Sequence, residues 1–387
     1  MCVMQASHDR PRGGGRSRAM TSKQRLLTAL HRGVPDRLPV TIHQWQRYHL
    51  ERTMGGIDQL EAFGVTGLDA SISTWRCVRL RESDRWRVHR EGRPAAGSER
   101  HTRIRVQTPD GELTAAEAAA DGTAYMTEHL IKGQRDAELF IKHWPNCELD
   151  RQQVAAWYDR TGDDGIVRGF VGHAHQPGAW QDFCELVGTQ EAILWAVDDP
   201  AFVHHFLDRL TQFRVAYVHE QMAGAKFDLI EHGGGAASSS VISPAMFDEF
   251  CVPYDRRVTD ALHEEGFPVV YHTCGGMLAI LGRVPANGCD ASETLSPPGV
   301  GGDIATRDHR VMVKRTLGTE VALIGGIDQG RLEHPQPAEA IREEVVACFE
   351  TFGTGGGYIC SASDHFFHAP VENLKALAAA AADCRYG

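Results

Sequence analysis

The sequence predicts a closed (β/α)8 TIM barrel, and three observations carry that expectation. From residue 150 onward, apolar runs of strand length alternate with stretches of helix length, the rhythm of parallel strands joined by crossover helices. Two earlier runs, at 40–43 and 67–73, bring the strand count to eight, the number that closes a barrel. Polar side chains gather where the runs end: His173 and His175, Glu231 and His232, His272 and Cys274, Glu293, Asp328, and Asp364 with His365. A barrel of this kind collects its working groups on the C-terminal rim of its strands.

The elements follow in chain order. Residues 1–21 carry positive charge and glycine without an apolar stretch, which predicts a disordered tail rather than a secretory signal, with Met20 as an alternative start. Ser22 caps a short amphipathic helix over 22–31. A turn at GVPDRLPV leads to the first strand, a helix follows at 57–63, and GLDASIS forms the second strand. Between 76 and 130 polar and β-branched residues alternate, as in TRIRVQT, so the barrel carries a hairpin insertion or lid within one domain over 22–387. The remaining strands are expected at 165–172, 227–234, 267–275, 289–295, 321–328 and 356–363. Helices are expected at 181–192, 198–224, 244–265, 308–317, 337–352 and 371–383.

Composition excludes several classes of function. A formal net charge of −11 argues against a general nucleic-acid binder. No apolar run reaches the roughly 18 residues of a membrane span. Ten cysteines at irregular spacing in 387 residues predict reduced, mostly buried thiols in a cytoplasmic protein. Cys274 and Cys360 are the two placed where chemistry is done.

The sharpest local signal is Tyr271-His-Thr-Cys-Gly-Gly276. It follows the apolar run Phe267-Pro-Val-Val, so it reads as a buried strand opening into a glycine turn. His272 and Cys274 are two residues apart and share one face of an extended chain. An imidazole and a thiolate so placed are two ligands for a borderline-soft ion such as zinc. The same pair also reads as a core histidine beside a buried cysteine.

Four segments together resemble the uroporphyrinogen decarboxylase superfamily: RLLTALHRGVPDRLPV, ISPAMFDEFCVPYDRRVTDALHEEGFPVVYHTCGG, VALIGGIDQ and GGYICSASDHFFHAPVENLKAL. Within it, the His-x-Cys-Gly of the fifth strand looks like the zinc-dependent methylcobamide methyltransferase branch. That resemblance implies zinc on His272, Cys274 and a cysteine from the last strand, with methyl transfer to or from a corrinoid. The chain lacks a corrinoid-binding Asp-x-His-x-x-Gly module, so methylcobalamin would arrive on a partner corrinoid protein. The other partner would be a small-molecule methyl donor or acceptor, as in O- or N-demethylation, and a homodimer is left open. True decarboxylases carry an arginine cluster where this chain has His43-Gln-Trp-Gln-Arg-Tyr-His49. Arg47 alone survives there as a substrate-binding candidate, which lowers the cofactor-independent decarboxylase or lyase reading. A non-enzymatic corrinoid-binding protein is the third reading.

The chain departs from the branch at its last strand. Counting back from Pro370 and Asn373 lands on Asp364 and His365 rather than on a cysteine. Cys360 is the nearest thiol and supplies the third ligand if it points inward. Otherwise Asp364 or His365 does, or the metal site is changed. Glu231 and His232 are expected to orient a ligand or shuttle a proton, with Asp364 and His365 as further catalytic candidates. His173, His175 and Trp180 are expected to line the mouth. Asp69 and Asp328 are read as substrate-facing carboxylates, with loop capping as the alternative, and Asp36-Arg37 as an ion pair at the barrel base.

Overall fold

The computed structural model describes residues 19–94, 100–120, 123–144, 146–172 and 178–387. Residues 1–18, His173 and His175 therefore lie outside the described residues. Eight parallel strands form the central sheet: β1 (Val40–Thr41), β2 (Ala70–Ser73), β3 (Gly165–Phe170), β4 (Leu229–Gly233), β5 (Val269–His272), β6 (Ala291–Thr294), β7 (Ala322–Ile327) and β8 (Tyr358–Ala362). Their order around the sheet is β1-β8-β7-β6-β5-β4-β3-β2. The Asp69 N–H donates to Val40 O at 2.8 Å and brings β2 to β1, so the sheet curls into a barrel. Helices pack outside it, among them α1 (Ser22–Leu30), α2 (Ala179–Val187), α3 (Pro200–Tyr217), α4 (Val252–Glu264), α5 (Ala338–Phe349) and α6 (Val371–Asp383).

Strand alternation sorts the side chains into two cores. Ile166, Leu229, Val270, Ala291, Ala322, Ile324 and Ile359 point inward and form one apolar cluster with Leu26, Ala29 and Leu30 of α1. Helix α1 thus plugs the N-terminal end of the barrel, started by a capping box in which Thr21 and Gln24 satisfy each other's backbone N–H. Two positions further along, five of the strands carry polar residues, Arg168, Glu231, His272, Glu293 and Ser361, and these open toward the C-terminal end. Val167, Ile230, Tyr271, Leu323 and Tyr358 point outward into the larger core shared with the helices.

Two expected helices are divided. The stretch at 181–192 breaks at Gly188, whose φ of 99° no α-helix contains, giving Ala179–Val187 and Thr189–Asp198. The stretch at 244–265 breaks at Cys251, two residues before Pro253, which has no N–H to continue a helix ladder. Between β2 and β3, Val78–Arg81 pairs with Asn146–Leu149, and the strands Arg87–Pro94, Arg100–Thr108, Gly111–Ala120 and Thr123–Glu128 form a four-stranded antiparallel sheet. Val88 pairs with Val106, which pairs with Leu113, so one face of that sheet is apolar and packs on the main core.

Asp69 does not face the barrel mouth. It precedes β2 and lies at the plugged end, where it accepts hydrogen bonds from Ser22 Oγ (2.7 Å), Arg25 Nη1 (2.8 Å), Arg37 Nη2 (3.0 Å) and the Val40 N–H (3.0 Å). Its position before the strand, rather than after it, decides this. Arg25 also reaches Asp36 at 2.7 Å, so α1, the first turn and β2 are fastened by one ionic cluster.

Two outcomes test this reading. Removing the Asp69 charge takes from Arg25 one of its two carboxylate partners and from Arg37 its own, so Asp69→Asn is expected to lower unfolding stability by about 3 kcal/mol while metal content stays unchanged. Burial works against the charge of Asp36, but Arg25 and the Met20 and Arg37 N–H groups hold its carboxyl below the ordinary range. A lowered folded pKa contributes stability above the ordinary carboxylate range that is lost as pH falls through the folded value. Asp36→Asn is therefore expected to flatten the acid side of a plot of Tm against pH.

Candidate metal centre

The polar upper layer of the barrel is built around one arginine. Arg168 stands on β3 two residues after Ile166, so it points inward, and its guanidinium is buried on the barrel axis. Nη2 donates to Glu231 Oε2 of β4 and to Glu293 Oε1 of β6, both at 2.8 Å. Burial works against the charge of both carboxylates. Arg168 and His43 nevertheless hold Glu293 well below the usual range, and His43 with Arg168 holds Glu231 down.

Each carboxylate backs a histidine. Glu293 Oε1 lies 3.0 Å from His272 Nδ1, and Glu231 Oε2 lies 3.2 Å from His43 Nε2. Burial opposes the charge on His43, but Glu231 and Glu293 raise its pKa to about 9. His43 in turn meets His365, Nδ1 to Nδ1 at 3.3 Å. Burial and then His43 push His365 down to about 4. Gln44 Nε2 lies 3.4 Å from His365 Nε2, and the Gln44 carbonyl accepts from Ser73 Oγ at 3.2 Å.

Three residues converge above this floor. His272, Cys274 and Asp364 each offer one donor atom, and the three atoms lie within 4.8 Å of one another. Cys274 reaches inward because it continues the β5 phase of Val270 and His272. The turn that carries it needs Gly275, whose φ is 113° and where a Cβ would meet Ser238 Oγ at 2.7 Å. Imidazole, thiolate and carboxylate are all zinc donors, so this set fits the ion that the resemblance implies. The group His43, Glu231, His272 and Glu293 is equally close-packed, but the Arg168 guanidinium already supplies its positive charge.

Other expected site residues go elsewhere. Cys360 stands on β8 between inward Ile359 and Ser361, so it points outward, buried near Cys348, Tyr358 and Cys384. Burial, with Cys348 adding to it, raises its thiol well above the ordinary range, and it does not join His272 and Cys274. Asp364 does, because β8 ends at Ala362 and the chain then turns over the mouth. His232 is one residue out of phase with Glu231. It is buried behind the sheet, its Nε2 3.2 Å from Asp255 Oδ1, while Tyr271 Oη donates to Asp255 Oδ2. Trp180 is a core residue of α2 that stacks on Phe250 and donates Nε1–H to Ala236 O at 3.1 Å. Arg47 is exposed and paired with Glu51. Asp328 follows β7 at the correct end of the barrel, where it accepts from the Gly330 N–H at 2.9 Å and caps the turn Gln329–Leu332.

The sequence points to neither His43 nor Arg168 as a site residue, and to Glu293 only as a strand end. The signal for Arg168 was its spacing of two from Ile166 within an otherwise apolar strand.

Comparison with known proteins agrees with this architecture. The chain is 33% identical over 169 residues to the uroporphyrinogen decarboxylase of Pseudoalteromonas translucida, covering 42% of this chain and 43% of that one. To the Vibrio cholerae uroporphyrinogen decarboxylase it is 31% identical over 248 residues, covering 62% and 64%. A methylated-thiol–coenzyme M methyltransferase of Methanosarcina mazei is 26% identical over 192 residues, covering 49% and 47%. The chain thus matches less than two thirds of the length of these relatives. The fold is that of a solved methyltransferase from Methanosarcina mazei, with TM-score 0.60, 17% identity, and coverage of 94% of this chain and 99% of that one. The uroporphyrinogen decarboxylase (URO-D) family model matches residues 162–384, more than half of the 387, and the chain belongs to that family.

Proposed function

We propose that this chain is a zinc-dependent methyltransferase that moves a methyl group between a corrinoid carried by a partner protein and a small donor or acceptor. The observation that carries the reading is the convergence of His272, Cys274 and Asp364 at the open end of the barrel. The sequence likeness to a methylated-thiol–coenzyme M methyltransferase supports it.

Zinc, when bound, acts as a Lewis acid that lowers the pKa of a coordinated thiol, alcohol or water. The chain's own residues do the rest. Glu293 holds the His272 ring by its Nδ1 at 3.0 Å, which turns Nε2 toward the open position. Cys274 contributes a thiolate. Asp364 contributes a carboxylate where the resemblance implies a second thiolate, which makes the set harder and favours oxygen or nitrogen nucleophiles over thiols. The apolar lower layer and the α1 plug close the other end, so substrate and corrinoid meet at the C-terminal mouth.

The competing reading is a metal-free decarboxylase, favoured by relatives of that name at 31–33% identity. A substrate rich in carboxylates needs unpaired cations. Arg168 is already held by Glu231 and Glu293, and Arg47 by Glu51, so the charge pattern favours methyl transfer.

Metal analysis of anaerobically purified protein tests the proposal. Zinc is expected, lost in Cys274→Ala and retained in Cys360→Ala. Glu293→Gln is expected to weaken zinc affinity by roughly 10–100-fold. The zinc-loaded protein should demethylate free methylcobalamin, followed by its absorbance, in the presence of a small phenol, amine or thiol. Metal-free protein that decarboxylates uroporphyrinogen in EDTA would establish the competing reading instead.

A further inference from the structure

The mouth of the barrel contains a second set of metal donors beside the first. His43 of the β1 end and His365 of the β8 end face each other with Nδ1 atoms 3.3 Å apart, ring centroids 4.9 Å apart and planes tilted by 37°. Two nitrogens bound at about 2.0–2.1 Å to one tetrahedral ion lie roughly 3.3–3.4 Å from each other. The pair is already at that spacing. Asp364 completes the set, with Oδ1 3.9 Å from His43 Nδ1. One donor atom from each of the three residues lies within 4.8 Å of the others.

The surroundings also orient these rings as ligands. Metal-bound histidines commonly give their other ring N–H to a carboxylate, and His43 has Glu231 Oε2 at 3.2 Å from Nε2. With that hydrogen kept at Nε2, an ion that displaces the Nδ1 proton meets the His43 lone pair there. On His365, Nε2 faces the Gln44 amide at 3.4 Å. Turned over, that amide accepts the Nε2 hydrogen while its NH2 group meets Ser73 Oγ, and the His365 lone pair moves to Nδ1. Asp364 and His365 remain 25% and 30% exposed, so an ion reaches them from the mouth.

We propose that the mouth takes two divalent first-row transition ions bridged by Asp364, one on His272 and Cys274 and the other on His43 and His365. A carboxylate has two oxygens and serves one ion with each. The second set, two imidazoles and a carboxylate, suits zinc and equally its first-row neighbours. This site rests on the proposed function only through the shared Asp364.

A Co(II) titration of the metal-free chain, read by absorbance and elemental analysis, separates the two. The sulfur-to-cobalt charge-transfer band reports the Cys274 position alone, and the visible d–d bands report both. The expected result is two equivalents per chain, with the thiolate band complete after one. His365→Ala is expected to halve the stoichiometry and keep the thiolate band; Cys274→Ala is expected to halve it and lose that band, with circular dichroism confirming that both variants fold. A single equivalent that carries the thiolate band and survives His365→Ala overturns the second site and leaves the proposed function standing. Loss of the thiolate band in His365→Ala overturns it too, by placing His365 in the first centre. A folded chain that binds no Co(II) overturns both readings.

Discussion

The buried guanidinium of Arg168 between Glu231 and Glu293 is the interaction on which the rest of the mouth depends. Two carboxylates this close on the barrel axis would repel each other strongly, and both are buried. The arginine lets both stay charged. Each charged carboxylate then fixes one histidine, His272 through Glu293 and His43 through Glu231. Cys274, Asp364 and His365 converge on those two rings. Such a cluster contributes little net stability, since the desolvation of three charges offsets most of the attraction. Its value is geometric.

The same barrel explains why this cluster can exist. Seven inward strand residues and three from α1 make an apolar, sealed lower layer, which supplies the hydrophobic stabilisation that the polar upper layer does not. Because the strands are parallel, every inward residue beyond that layer is delivered to one end. The ionic cluster of Asp69 with Arg25 and Arg37 stands at the opposite end and keeps the plug in place.

Much of this was legible in the sequence. Eight apolar runs at the spacing of βα units predict the barrel, and the strand-end positions bring Glu231, His272, Cys274, Asp364 and His365 to its mouth. The failures share a cause. Alternation has a period of two, so an error of one residue exchanges the inside of the barrel for the outside. His232 and Cys360 both fell on the wrong side in this way. Asp364 belongs to the site although Cys360, four residues earlier, does not, because the strand ends between them and its phase no longer applies. Arg168 is hard to read because a lone cation in an apolar strand looks like surface until the phase set by inward Ile166 is known, and its two carboxylate partners come from strands far apart in sequence. Trp180 and Asp328 are taken up by hydrogen bonds to the backbone, which no spacing rule reveals.

The outward turn of Cys360 has a consequence for how the protein meets oxygen. A centre built on two neighbouring thiolates can be closed by oxidation, since the pair is able to join as a disulfide and expel its metal. Here the metal-donor sets at the mouth contain Cys274 as their one thiol among the described residues, while Cys360 is shut behind the sheet. Oxidation of the mouth is therefore confined to a single sulfur, whose sulfenic acid an external thiol can reduce but whose sulfinic and sulfonic acids it cannot. With the Asp364 carboxylate where the family resemblance implies a second thiolate, the proposed centre is less soft toward sulfur ligands and has no second thiol with which to close as an internal disulfide.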